Sequence, residues 1–285
     1  MAPKRMTAKR TAAARGGARG KDVFFLARHG ERYGGEQGGE LEAAFDALVS
    51  AGARMSGVFD ADGRSPLMVA AAHANTRLMR LLLDKGRAPV DERSPEDGAT
   101  ALHCALSNYV VVEDPAAAAL LLDAGADIEA REGNDLTPLA FSVSNHRVAP
   151  TRLLLDRGAD VNRKVNAGYT PLILATEKAW LRDTHWPLLQ EILRRSTPET
   201  RRAVGASDGH GAVDYLVRLL LDVIVTDSTT RGTPAAAELE RGQERCRSAI
   251  AELLASGAPV RPENAERAAF AAGRGGAGFP LVFSV

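Results

Sequence analysis

Apolar positions in the middle of the chain alternate between two kinds of segment. The first opens on Pro-Leu or Ala-Leu and stays small or apolar for about two turns of helix, as in Pro66-Leu67-Met68-Val69-Ala70-Ala71-Ala72. The second follows a polar break and closes on a leucine triplet, an aspartate and a glycine: LLLDKG ending at Gly86, LLLDAG at Gly125 and LLLDRG at Gly158. Four segments of the first kind begin alike, at Gly63-Arg64-Ser65-Pro66-Leu67, Gly98-Ala99-Thr100-Ala101-Leu102, Asn134-Asp135-Leu136-Thr137-Pro138-Leu139 and Gly168-Tyr169-Thr170-Pro171-Leu172, with leucines 35, 37 and 33 residues apart. This pattern predicts pairs of short helices. Serine or threonine caps the first helix, because its oxygen accepts one of the backbone N–H groups that have no partner inside the helix. Proline at the first helical position loses no hydrogen bond there. Glycine after the triplet is expected to take the left-handed conformation that ends the second helix.

The recurring phrases resemble the ankyrin repeat, whose period is about 33 residues and whose signature is T-P-L-H-x-A. Residues 135–162 carry the best copy, while only Leu102-His103-Cys104-Ala105 keeps the signature histidine; Met68, Ala140 and Ile173 replace it elsewhere. The resemblance implies an all-α solenoid of about six helix-turn-helix units, irregular at both ends. The expected boundaries are a basic disordered tail at 1–21, repeats at 22–59, 60–94, 95–131, 132–164, 165–205 and 206–262, and a capping helix with a flexible tail at 263–285. No single unit covers its own apolar face, so neighbours must stack. Inserted loops are expected at 180–187 and 226–246, the second containing a fresh helix start at Thr233-Pro234.

The N-terminal stretch FFLARHGERYGG, residues 24–35, admits a second reading. Arg28-His29-Gly30 after an apolar run resembles the opening motif of the histidine phosphatases, in which a strand delivers the histidine to a phosphoryl group. Aligned on the repeat at Pro66, however, His29 falls opposite His73, and Phe45-Asp46-Ala47-Leu48-Val49-Ser50-Ala51-Gly52-Ala53 matches the closing phrase. The stretch is then the first helix of a degenerate first repeat, with Gly34–Gly39 inserted in its turn. Residues 60–165 are committed to repeats, which leaves no strand–helix alternation for a phosphatase sheet.

Charge adds an asymmetry. Residues 1–21 hold seven basic and no acidic side chains, so the other 264 carry 29 basic against 36 acidic, although the chain as a whole is neutral. Such a leader suits a nuclear address, an organellar presequence or contact with nucleic acid. No apolar run reaches the roughly 18 residues of a membrane helix; the longest, Leu216–Val225, is broken by Arg218 and Asp222. Cys104 and Cys246 stand in unrelated contexts, which points to an intracellular protein of cytoplasm or nucleus without a disulfide framework. The histidines form no zinc-ligand pair, and the C-terminal G-x-G-x-x-G at 273–278 has no following helix to hold a dinucleotide, so neither metal nor cofactor is expected.

In the ankyrin family the turn tips and the first-helix surface hold protein partners. The resemblance therefore implies a non-catalytic scaffold, expected to be monomeric, with Asp62, Arg64, Asp97, Arg131, Asn134, Asp135, Arg163, Lys164, Tyr169, Trp180 and Trp186 as partner-binding candidates. The acid excess between 91 and 135 favours a basic partner. The alternative is an adaptor associated with nucleic acid or chromatin through residues 1–21. The third reading is an enzyme working through His29.

Overall fold

Short helices such as these are marginal alone and depend on burying one face against neighbours. The computed structural model describes residues 19–29, 39–107, 114–177, 186–203, 205, 209–227, 234–271 and 273. Among them are fourteen α-helices and no strand. The chain divides into two compact units, Met1–Asn134 and Asp135–Val285.

In the N-terminal unit, helices α1 (Arg19–His29), α3 (Pro66–Ala72) and α5 (Ala101–Leu106) pack side by side, α3 between the other two. Helices α2 (Gly39–Ser50), α4 (Thr76–Asp84) and α6 (Ala116–Asp123) form the second row in the same order. All seven residues of α3 and all six of α5 are buried, so the first row is core, whereas α4 buries only Leu78, Met79, Leu81 and Leu82. Each fully buried leucine contributes about 1.5–3 kcal/mol relative to exposure. Ser65 accepts the N–H of Met68 at 3.4 Å, and the Oγ1 of Thr100 lies 3.0 Å from Nδ1 of the signature histidine, His103.

The stretch from Phe24 to His29 is helical, as its register with the repeat at Pro66 predicts. Leu26 is buried, Phe24 half-buried and Phe25 exposed. Residues 30–38, with Gly30 and all but the last residue of the expected insertion at Gly34–Gly39, lie outside the described residues, and Gly39 begins α2. So do residues 1–18 of the expected tail. Its last three residues need correction: α1 begins at Arg19, because a helix that buries Val23 completely carries its unpaired first turn upstream of it.

The C-terminal unit opens with α7 (Pro138–Ser144) and α8 (Val148–Asp156), followed by α9 (Pro171–Glu177) and α10 (Trp186–Arg195). Helix α9 packs on α7 and α10 on α8. No glycine ends α10. Instead Arg201, in the short α11 (Pro198–Arg201), donates to the carbonyl of Leu193 at 2.7 Å, a cationic cap at the negative end of the helix. Helices α12 (Ala212–Asp227) and α13 (Pro234–Ala255) then form a long pair, with α14 (Pro262–Ala271) against both. Within the insertion expected at 226–246, α13 begins at Pro234, where a fresh helix start is expected. What is corrected is its extent, since α12 runs to Asp227 and the Ala-, Glu- and Arg-rich remainder is helical throughout. In the other expected loop, Trp186 and Pro187 already belong to α10, and residues 178–185 lie outside the described residues.

The glycine caps hold with one exception. Gly52, Gly125 and Gly158 have φ of +75°, +88° and +90°, and the N–H of the following alanine reaches back five residues to Leu48, Leu121 and Leu154. At LLLDKG the left-handed residue is Arg87, with φ of +48°, and not Gly86. The sequence carries one extra residue there, so Ala88 reaches back six residues to the carbonyl of Leu82 at 2.9 Å.

Candidate functional site

The turn preceding each first helix narrows to one residue that needs a positive φ. Gly63, Gly98, Gly168 and Gly209 supply it at +73°, +68°, +75° and +67°, and Asp135 holds the corresponding place at +62°. Around these residues aspartates fold the chain back onto itself. Oδ1 of Asp60 accepts the N–H groups of Asp62 and Arg64 at 3.0 and 2.9 Å, and Asp97, Asp127 and Asp160 accept the N–H two residues on. These Asx turns give each tip a fixed shape.

Further bonds brace one tip to the next, about one repeat away. In the N-terminal unit the Glu92 carboxylate accepts the N–H of Gly57 at 2.6 Å, and Asp91 accepts that of Asp127 at 3.0 Å. Arg93 donates to the carbonyl of Arg131 at 2.6 Å. In the C-terminal unit the Asn162 side chain accepts the N–H and hydroxyl of Thr197. Much of the tip charge is therefore structural.

The candidate residues sort by exposure. Asp62, Asp97, Asn134, Asp135, Arg163 and Lys164 are exposed, and Arg64, Arg131 and Tyr169 half-buried. Arg64 bonds both Asp60 and Asp62, Asn134 donates to Glu132 at 3.0 Å, and the hydroxyl of Tyr169 lies 3.2 Å from that of Tyr215. Asp62 and Arg64 share the tip before α3, Arg131, Asn134 and Asp135 the tip before α7, and Arg163, Lys164 and Tyr169 the tip before α9, while Asp97 stands on the tip before α5. Trp180 lies outside the described residues. Trp186 is 3 % exposed: as the first residue of an amphipathic helix its indole is core, which corrects its placement on a binding surface. The sequence reading also missed Phe25 and Phe59, which keep 51 % and 37 % of their surface exposed. The signal available was the spacing of Phe25 and Arg28, three apart and so on one helix face.

Arg28 of the RHG motif lies in an ion pair with Asp60 at 2.9 Å, and His29 ends a helix, where the phosphatase motif has a strand. Burial pushes both thiols, Cys104 and Cys246, up to about 12, so neither is a ready nucleophile. Among the described residues no cluster of His, Cys, Asp and Glu fits a metal ion, and no helix is long and apolar enough to cross a membrane.

Stacked helix pairs joined by braced tips define a helical repeat protein. Residues 36–132 match the family model of ankyrin repeats, in three copies, which supports an ankyrin repeat protein. Such repeats are protein–protein interaction modules. Over 77 residues the chain is 44 % identical to a zinc finger CCCH domain-containing protein of Oryza sativa subsp. japonica. That stretch is 26 % of this chain and 10 % of the relative, so the chain spans about a tenth of the relative's length.

Proposed function

We propose that this chain is a non-catalytic adaptor that holds a protein partner on the turn tips; the first-helix surface expected to share this role is buried in α3 and α5, so the tips carry it. The observation that carries this is the bracing of tip to tip, by Asp91 to Asp127 and by Arg93 to Arg131. A surface fixed before binding loses little conformational entropy when a partner docks. The exposed Asp97, Arg163 and Lys164 then set specificity. The six-repeat division at 22–262 is part of this proposal, as is residence in cytoplasm or nucleus.

The test is affinity capture with the full chain, comparing the tip variant Asp97→Lys/Arg163→Glu with Arg152→Glu on the exposed side of α8. The adaptor reading predicts a partner that is lost only with the tip variant. Equal capture by both, or no specific protein at all, counts against it.

A second reading rests on the basic leader. Contact of residues 1–21 with nucleic acid would show a steep salt dependence that disappears when their seven cations are neutralised. The likeness to a CCCH zinc finger protein does not extend to a zinc site here, because such a site takes three cysteines and this chain has two. An enzymatic role of His29 predicts phosphatase activity that His29→Ala abolishes; the pairing of Arg28 with Asp60 argues for none.

A further inference from the structure

Three large apolar side chains of the described residues are well exposed: Phe25, Val49 and Phe59. Two of them flank one ion pair. Phe25 and Arg28 are three residues apart on α1, on one face of the helix, and Arg28 reaches Asp60, the neighbour of Phe59. Carboxylates adjoin this patch. Asp62 is 67 % exposed at the first tip. The side chain of Glu96 covers that tip, since a methyl group placed on Gly63 would stand 2.5 Å from its Cγ. The bond from Gly57 to Glu92 likewise turns the acids of the second tip toward the first.

Carboxylates outnumber cations here: Asp60, Asp62, Asp91, Glu92, Glu96 and Asp97 against Arg28, Arg54, Arg64 and Arg93. Arg28 and Arg64 pair with Asp60, Arg64 bonds Asp62 as well, and Arg93 donates to the carbonyls of Arg131 and Gly98. Among the described residues, Asp91, Glu92, Glu96 and Asp97 form no ion pair. Exposed aromatic side chains beside an excess of carboxylates favour one kind of ligand.

We propose that the outer face of α1 and the first two tips of the N-terminal unit bind a short basic peptide segment that carries one large apolar side chain. The apolar side chain packs against Phe25 and Phe59, and lysines or arginines lie along Glu96 and Asp97. This rests on the adaptor reading and adds the chemistry of the partner.

The experiment is fluorescence anisotropy on the full chain. The probe is a short labelled peptide of lysines and arginines around a central leucine, compared with glutamate-for-cation and serine-for-leucine versions. Phe25→Ser and Glu96→Lys are suitable variants, because neither side chain caps a backbone N–H in the bonds described. The expected result is binding of the basic leucine peptide alone, weakened about tenfold or more by either variant, equivalent to about 1.4 kcal/mol. Raising salt from about 50 to about 500 mM is expected to weaken it further. Equal binding of the acidic peptide, or indifference to both variants, overturns the proposal.

A further full-length variant, with Lys4, Arg5, Lys9, Arg10 and Arg15 changed to Gln, separates the chain's own leader from a partner. Binding by this variant and not by the natural chain assigns the patch to the leader and overturns the proposed partner. If the peptide fails while capture through the tips succeeds, only the present assignment falls. Failure of both removes the adaptor reading as well.

Discussion

The guanidinium of Arg28 lies 2.9 Å from the carboxylate of Asp60, 32 residues further along the chain, and the same carboxylate accepts the backbone N–H of Arg64. One aspartate thus shapes the first turn tip and holds α1 beside it. Its side chain is only 5 % exposed.

Acid is expected to undo this junction. Burial pushes the Asp60 carboxyl up, but the N–H of Arg64, the guanidinium of Arg28 and the charge of Arg64 outweigh it and hold the pKa below the ordinary aspartate value. A lowered pKa gives stability that is complete above the ordinary range near pH 4 and is lost as pH falls through the lower folded value. Asp60→Asn is therefore expected to cost about 1–2 kcal/mol at neutral pH. Thermal melts of both proteins should converge on acidification; a gap that stays constant with pH refutes the assignment.

Asp135 takes a left-handed backbone where four other tips use glycine. Asp135→Gly relieves that strain and is expected to raise stability by about 0.5–1 kcal/mol, after allowance for the greater freedom of glycine in the unfolded chain. Chemical denaturation measures it.

Gly86 and Arg87 have exchanged the usual reasons for keeping a glycine. Gly86 sits where a Cβ would fall 2.8 Å from the carbonyl oxygen of Leu82, while Arg87 bears the positive φ. Gly86→Ala is expected to destabilise by about 1–3 kcal/mol and Arg87→Gly to stabilise by about 1 kcal/mol. The opposite ranking in melting temperature would show that the cap has been misread.

Asp214 is 2 % exposed and accepts three hydrogen bonds, from the backbone of Gly211 and Arg261 and the side chain of Asn264, at 2.9–3.0 Å. It ties the start of α14 to α12. Asp214→Ala strands buried donors and is expected to cost about 2–3 kcal/mol. Hydrogen exchange is expected to quicken in residues 261–271 more than in α3 or α5; uniform loss of protection would contradict a local tie.

The helix pairs were legible because each rests on local chemistry: a capping hydroxyl, a proline at the first position, an apolar face and a stop. Pro66, Pro138 and Pro171 all open helices, and LLLD closes α4, α6 and α8. What the sequence hid lies between repeats. Nothing local says that Glu92 will bond Gly57, or that Asp91 will be occupied by Asp127, because those partners meet only after stacking. Trp186 was misplaced for a related reason, since an aromatic residue beside an insertion reads as exposed until the helix it begins is known. The start of α13 at Pro234 was legible from Thr233-Pro234, but not that helix propensity would carry it unbroken through the rest of the insertion. The proposed partner surface was legible only as a row of tips. Its aromatic end depended on Arg28 finding Asp60.

The extra residue at Arg87 carries a lesson for engineering. The turn lengthens by one, yet the carbonyl of Leu82 still finds its donor and α4 still packs on α6. Stacking order is therefore indifferent to the residue count of this loop. A short epitope or fluorophore-bearing sequence grafted after Gly86 would be carried on the outside, leaving the repeats on either side to recognise each other as before.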